Sequence, residues 1–221
     1  MPAFPFDIVA FDLDGTLADT APDIAGGINR MLADFGRASL PEAEIRPLIG
    51  DGARNLLRRV LLATGGSSEE LLDEAHPRYL DHYAAHICDG TIVYPHVEQA
   101  MDELASLGVR LAVCTNKSTR MTRLLFDALG WTDRFAAMVC GDTLPVFKPD
   151  PATLQETIRL AGGGRCVLVG DSMIDAGTSR AAGTPFVAVS FGFRDRPVDQ
   201  LGADAVIDDY RQLIPALHCL G

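Results

Sequence analysis

From residue 110 onward the chain alternates strand-length apolar runs with helical patterns, and few folds accommodate that alternation. Residues 110–116 (RLAVCTN), 136–142 (AAMVCGD), 166–172 (CVLVGDS), 186–191 (FVAVSF) and 204–208 (DAVID) have the length and apolar content of buried strands. Between them, residues 118–130, 152–163 and 174–183 carry helical spacing and end in glycine, and a last helix is predicted over about 209–219. Strand–helix repetition of this kind predicts an α/β fold with a doubly wound parallel sheet and right-handed crossovers. Residues 7–13 (DIVAFDL) form one more buried strand, far upstream.

Between that first strand and the alternating region lies a helical block. Ile24, Ile28, Met31, Leu32 and Phe35 fall at helical spacing, with Gly36 as a stop. Leu56, Leu57, Val60 and Leu61 predict a second helix closed by Gly65-Gly66. Ser67 or Ser68 can cap a third, running towards His86. Three helices without an intervening strand predict an insertion over residues 20–88, leaving 1–19 and 89–221 as the α/β core. The turn-rich stretches near 17–22 and 89–96 are the candidate hinges.

Charge narrows the function. The 221 residues carry 19 basic and 30 acidic side chains, a formal net charge of −11, which disfavours nucleic acid and anionic membrane as partners. No apolar run is long enough to span a bilayer. The first residues lack the basic and apolar regions of a signal peptide, so a cytoplasmic protein is expected. The five cysteines (Cys88, Cys114, Cys140, Cys166, Cys219) are odd in number and without a CxxC pair, as reduced and mostly buried thiols would be. Lysine is more informative: 17 of the 19 basic residues are arginine, and the two lysines are Lys117 and Lys148. Lysine offers a compact point charge where arginine offers a planar fork.

Both lysines adjoin strand ends that carry polar groups. The first strand ends in Asp12-Leu13-Asp14-Gly15-Thr16-Leu17. Strand alternation would put Asp12 and Asp14 on one side and Leu13 on the other. Two carboxylates at the carboxyl end of a strand occupy the place where open α/β sheets bind ligands, and like charges so close call for a cation. The alternative is a polar strand end that merely caps a helix. Asp171, Ser172 and Asp175 follow a second strand, and Thr115, Asn116 and Lys117 end a third. Pro149 and Pro151 stiffen the loop that presents Lys148. The set supplies acids for a hard cation, hydroxyl and amide donors for an oxyanion, and a lysine.

The segments DLDGTL, CTN, KPDP and GDSMID, in that order, resemble the haloacid-dehalogenase superfamily of phosphohydrolases, over essentially the whole chain. The insertion resembles that superfamily's helical cap, so the resemblance implies a Rossmann-type core with an inserted α-helical cap domain. Residues 48–57 (LIGDGARNLL), 93–95 (VYP), 111–117 (LAVCTNK) and 201–210 (LGADAVIDDY) resemble bacterial phosphoglycolate phosphatases in particular. His96 departs from that pattern, which would place glycine after Tyr94-Pro95.

The resemblance implies a Mg²⁺-dependent phosphoric monoester hydrolase acting on a small phosphorylated acid, 2-phosphoglycolate foremost. Asp12 would be the nucleophile that becomes a phosphoaspartate, and Asp14 the general acid and then base. Mg²⁺ would be held by carboxylates of Asp12 and Asp171 and by the Asp14 backbone carbonyl. Thr115 and the Asn116 amide would bind phosphoryl oxygens, Lys148 would offset their charge, and Asp175 would orient Lys148 or a metal-bound water. Lys117 would reach the substrate carboxylate or be a solvated residue at a helix start. Arg54 would give that carboxylate a bidentate contact or lie on a solvated face with Arg58. A phosphomutase or another small-molecule or pyrophosphate phosphatase of the superfamily shares this chemistry. A haloacid dehalogenase would not need Asp14, and a receiver-like signalling module would not carry a helical insertion. A monomer and a homodimer are both compatible with the sequence.

Overall fold

A computed structural model describes residues 4–193 and 196–221; residues 1–3, 194 and 195 of the expected core lie outside the described residues. In chain order the elements are β1 (Ile8–Phe11), β2 (Ala18–Asp19), α1 (Ala21–Asp34), α2 (Glu42–Ile45), α3 (Ala53–Ala63) and α4 (Glu69–Ala85). Then follow β3 (Ile92–Val93), α5 (Val97–Ser106), β4 (Arg110–Cys114), α6 (Thr119–Leu129), β5 (Ala137–Val139) and α7 (Pro151–Leu160). The chain closes with β6 (Cys166–Gly170), α8 (Met173–Ala182), β7 (Phe186–Val189), β8 (Ala205–Ile207) and α9 (Leu213–Cys219).

Six strands form one parallel sheet in the order β5-β4-β1-β6-β7-β8. The predicted α/β fold is therefore present, with β1 in the middle. Alternate residues of β1 feed opposite layers. Val9 and Phe11 join a cluster with Met101 and Leu104 of α5, Phe126 of α6 and Leu217 of α9. Ile8 and Ala10 join one with Leu154 of α7 and Ala176 of α8. All four β1 residues are buried, as a strand covered on both faces requires. No helix among the described residues is long and apolar enough to cross a membrane.

Helices α1 to α4 build a separate apolar cluster, in which Ile28, Leu32, Leu57, Val60, Leu72 and Tyr83 are buried together. Met121, from α6 of the sheet layer, packs into it. Ser68, not Ser67, caps α4, its hydroxyl accepting from Leu71 N–H at 3.2 Å. The short α2 was not expected; only its Ile45 is buried, too few apolar positions to show a period.

The expected hinge stretches turn out to be paired. β2 and β3 form an antiparallel ribbon, Ala18 opposite Val93 and Asp19 opposite Ile92. Asp23 ties it further, accepting from the N–H groups of Gly90 and Thr91 at 2.8 and 2.7 Å and from the Thr91 hydroxyl at 2.6 Å.

His96 explains its own oddity. It precedes α5 with φ at +65°, the left-handed conformation that glycine adopts freely, and its ring nitrogen pairs with Asp209 at 3.0 Å. A variant pair will read the backbone cost: His96→Gly will be more stable than His96→Ala by about 1 kcal/mol in urea unfolding, since both lose the Asp209 contact and glycine alone avoids the left-handed penalty.

Candidate active site

Three neighbouring strands deliver the polar groups. Phe11 lies opposite Val113 of β4 and Val169 of β6, so Asp12, Thr115 and Asp171 emerge side by side at the carboxyl ends. This is the sheet's switch point: the chain runs outward from β1 through β4 to β5, then returns to β6 on the other side of β1 and runs outward to β8, and a crevice opens there. The strand itself stops at Phe11, although Asp12 N–H still donates to Val169 O at 2.9 Å. Beyond it Leu13 O accepts from the N–H groups of Thr16, Leu17 and Ala18, a tight turn in which Gly15 has φ of +83°. Strict alternation therefore fails after Asp12, and the two acids meet different partners.

Asp12 belongs to a buried acid cluster. Its Oδ1 lies 3.0 Å from Lys148 Nζ, but off line, so that oxygen has no hydrogen-bond partner among the described residues. Lys148 Nζ donates instead to Asp175 Oδ1 at 2.6 Å. Asp175 Oδ2 accepts from Ser172 Oγ at 2.6 Å and from the N–H groups of Ser172 and Asp171. Asp175 is thus a saturated acceptor that aims Lys148, one of the two roles expected of it. Asp171 Oδ1 accepts from Thr16 Oγ1 at 3.2 Å and its Oδ2 from Phe193 N–H at 2.6 Å. Burial pushes the Asp12 carboxyl up to about 6 despite the pull of Lys148. Burial, then the charges of Asp175 and Asp12, holds Asp171 well above the usual carboxylate range. Burial works to lower the Lys148 ammonium, but Asp12 and Asp175 outweigh it and hold it above an ordinary lysine.

The cluster sits in a cradle without side chains. A Cβ on Gly192 would lie 2.2 Å from Asp171 Cβ, one on Gly15 2.6 Å from Asp171 Oδ2, and one on Gly170 2.5 Å from Asp175 Cγ. Gly192 and Phe193 escaped the sequence reading, though they follow the end of β7, the strand beside β6. Applying the strand-end rule to that run as well would have found them.

Asp14 faces the other lysine. Lys117 Nζ donates to both its oxygens, at 2.7 and 3.0 Å, and to Tyr83 Oη at 2.7 Å, while Thr20 Oγ1 donates to Asp14 Oδ1 at 2.7 Å. Lys117 is buried, so its expected alternative as a solvated helix-start residue is overturned: α6 begins two residues later and its side chain turns inward beneath α4. Burial, then the charge of Asp14, keeps the Tyr83 hydroxyl protonated far above its ordinary range.

The remaining expected residues divide. Thr115 is buried and its Oγ1 accepts from Lys117 N–H at 3.3 Å. The Asn116 side chain is structural: Oδ1 accepts from Lys148 N–H at 2.9 Å, and Nδ2 donates to Lys148 O at 3.1 Å and Gly50 O at 3.0 Å. Arg54 is on the wall of the central cavity, but its Nη2 donates to Glu69 at 2.9 Å and Asp73 at 2.6 Å of α4, away from the acid cluster. Arg58 joins it on Glu69 at 3.1 Å. The cavity itself measures about 480 Å³ and lies between sheet and helices, with Asp12, Asp14, Thr115 and Lys117 on one side and Gly52, Arg54, Tyr79 and Tyr83 on the other.

Oxygens of Asp12, Asp171 and Asp175 lie within 4.8 Å of one another. Asp175 is already spent on Lys148 and Ser172. Asp12, whose Oδ1 makes only an off-line ion pair with Lys148, and Asp171, facing the glycine cradle, offer carboxylate oxygens of the kind that hold a small hard cation.

Fold and site together are those of a phosphohydrolase-type α/β enzyme. A family model described as haloacid dehalogenase-like hydrolase matches residues 6–183, and the chain belongs to that family. It is 40% identical over 205 residues to the phosphoglycolate phosphatase of Caulobacter vibrioides, covering 91% of this chain and 86% of that one. It is 43% identical over 213 residues to the phosphoglycolate phosphatase of Mesorhizobium japonicum, covering 93% and 92%. The crystal structure of a predicted phosphoglycolate phosphatase from Haemophilus somnus superposes with a TM-score of 0.90 at 29% identity, over 95% of this chain and 97% of that one.

Proposed function

We propose that this phosphatase hydrolyses a small phosphorylated acid, 2-phosphoglycolate, through a phosphoaspartate on Asp12 and with Mg²⁺ bound. One observation carries the reading: the two acids of a single turn reach one cavity but are wired to separate lysines, Asp12 to Lys148 and Asp14 to Lys117. That separation suits two roles, one carboxylate as nucleophile and the other as proton carrier. The names of the relatives at about 40% identity support the substrate.

In the first half-reaction an Asp12 oxygen attacks phosphorus, and the ester oxygen leaves with a proton from Asp14. In the second, water attacks the phosphoaspartate, gives its proton to Asp14 and releases phosphate. The Thr115 hydroxyl and the Asn116 backbone N–H would hold phosphoryl oxygens at the end of β4, and Lys148 would offset their charge. Mg²⁺, held by the carboxylates of Asp12 and Asp171 and the carbonyl of Asp14, would offset repulsion between nucleophile and phosphoryl group. Residues 20–88 would act as the cap that excludes water from the cavity, with Arg54 on its wall. The five unbonded cysteines suit a reducing compartment such as the cytoplasm.

A panel of phosphate esters tests this. With Mg²⁺, kcat/KM for 2-phosphoglycolate will exceed that for a hexose phosphate and for pyrophosphate at least tenfold. EDTA will abolish turnover, Mg²⁺ will restore it, and Ca²⁺, with its looser and larger coordination, will inhibit. A hexose phosphate in the lead would replace the substrate, and full activity after chelation would remove the metal.

A further inference from the structure

The Lys117 side chain has more partners than a substrate contact would leave it. It is buried in the wall between sheet and helices, with both Asp14 oxygens and the Tyr83 hydroxyl within 3.0 Å. Its ammonium also lies 4.7 Å from the centre of the Tyr83 ring. Tyr83 is itself locked, stacked on Tyr79 at 5.8 Å and packed so closely on α1 that a Cβ on Gly27 would approach its own Cβ to 3.1 Å. Thr20, the residue before α1, also donates to Asp14, at the same Oδ1. Asp14 lies in the turn after β1, directly before Gly15, and is held there by backbone only through a single bridge to Ala18. Its carboxylate is therefore oriented by two groups from the ends of the helical insertion, Thr20 directly and Tyr83 through Lys117.

We propose that Lys117, anchored by Tyr83, is a positioning residue for Asp14, and that its contribution falls on hydrolysis of the phosphoaspartate. This rests on the roles given above to Asp12 and Asp14. In that step the water oxygen bonds to phosphorus, and the phosphorus–oxygen bond to Asp12 breaks with its electron pair returning to the Asp12 carboxylate. The water proton passes to an Asp14 oxygen, and inorganic phosphate leaves. The Asp14 oxygen that takes the water proton must point at the water molecule in line with the bond that breaks, so its direction governs that step. A two-pronged contact from one ammonium fixes both carboxylate oxygens at once and sets that direction. Departure of an activated leaving group, by contrast, needs no proton and so little help from Asp14.

Pre-steady-state kinetics with p-nitrophenyl phosphate and Mg²⁺ separates the two steps. Asp14→Asn is the benchmark: a burst of nitrophenolate close to one per enzyme, then turnover at least a hundredfold below wild type. Lys117→Met will give the same burst with steady turnover at least tenfold below wild type, and Tyr83→Phe, which keeps the charge pair and the ring, a burst with turnover several-fold below. KM for 2-phosphoglycolate relative to 2-hydroxyethyl phosphate will not change in either variant. Burst and steady rate falling together in Tyr83→Phe and Lys117→Met would mean general damage to the site and overturn the proposal. So would a KM increase confined to 2-phosphoglycolate, which would make Lys117 the carboxylate contact, or wild-type kinetics in Tyr83→Phe. Absence of a burst in Asp14→Asn would instead remove the roles assigned to Asp12 and Asp14, a failure distinct from that of Lys117.

Discussion

Asp12→Asn will lower turnover of every phosphate ester by roughly 10⁴-fold or more, with the melting temperature unchanged or higher. The amide cannot attack phosphorus, and no neighbouring group can substitute: Asp175 is saturated and Asp171 is held by Thr16 and Phe193. Stability moves the other way because the wild-type carboxylate is costly where it stands. Burial raises it to about 6 even with Lys148 beside it. A neutral side chain of the same shape sheds that cost, and Lys148 keeps Asp175. The measurements are turnover of p-nitrophenyl phosphate and thermal unfolding on one preparation. Activity within a hundredfold of wild type would remove Asp12 as nucleophile.

Lys148→Met will be the variant most damaging to stability, by about 3–5 kcal/mol at pH 8, because it leaves two buried carboxylates without their shared cation. For a chain of this size that corresponds to a melting temperature roughly 10 °C lower. The loss will shrink on acidification. A carboxyl raised on folding takes up its proton more readily in the folded state, so its burial cost is complete above the folded value and absent below the unfolded one. For Asp12 that window runs from about 6 down to 3.8 in wild type, and it moves upward once Lys148 is gone. Melting in metal-free buffer at pH 8 and pH 5 reads this directly. An equal loss at both pH values would show that Lys148 contributes packing rather than charge.

Much of this arrangement is legible in the sequence. Apolar runs that end in acid mark the switch-point strands, and two lysines among 19 basic residues mark two places where a point charge is needed. The partners of Lys117 were not legible, because Asp14 leaves the strand's alternation at a turn and Tyr83 meets Lys117 across 34 residues. The β2–β3 ribbon was missed because strands of two residues carry no periodicity. Helix α5, absent from the elements expected above, does carry a signal: Val97, Ala100, Met101 and Leu104 have the spacing of a buried helical face. His96 could only be noticed as odd, since a left-handed residue other than glycine leaves no pattern along the chain.

The ribbon bears on how such a chain can change over time. Ala18 and Val93 are direct partners across it, so the entrance and exit of the helical insertion lie about 5 Å apart. A two-residue turn from Asp19 to Ile92 would convert the ribbon into an ordinary β-hairpin and leave every strand of the parallel sheet in register. The chain therefore enters and leaves the insertion at a single spot, so a change in the length of the helical segment need not disturb the pairing of the parallel sheet.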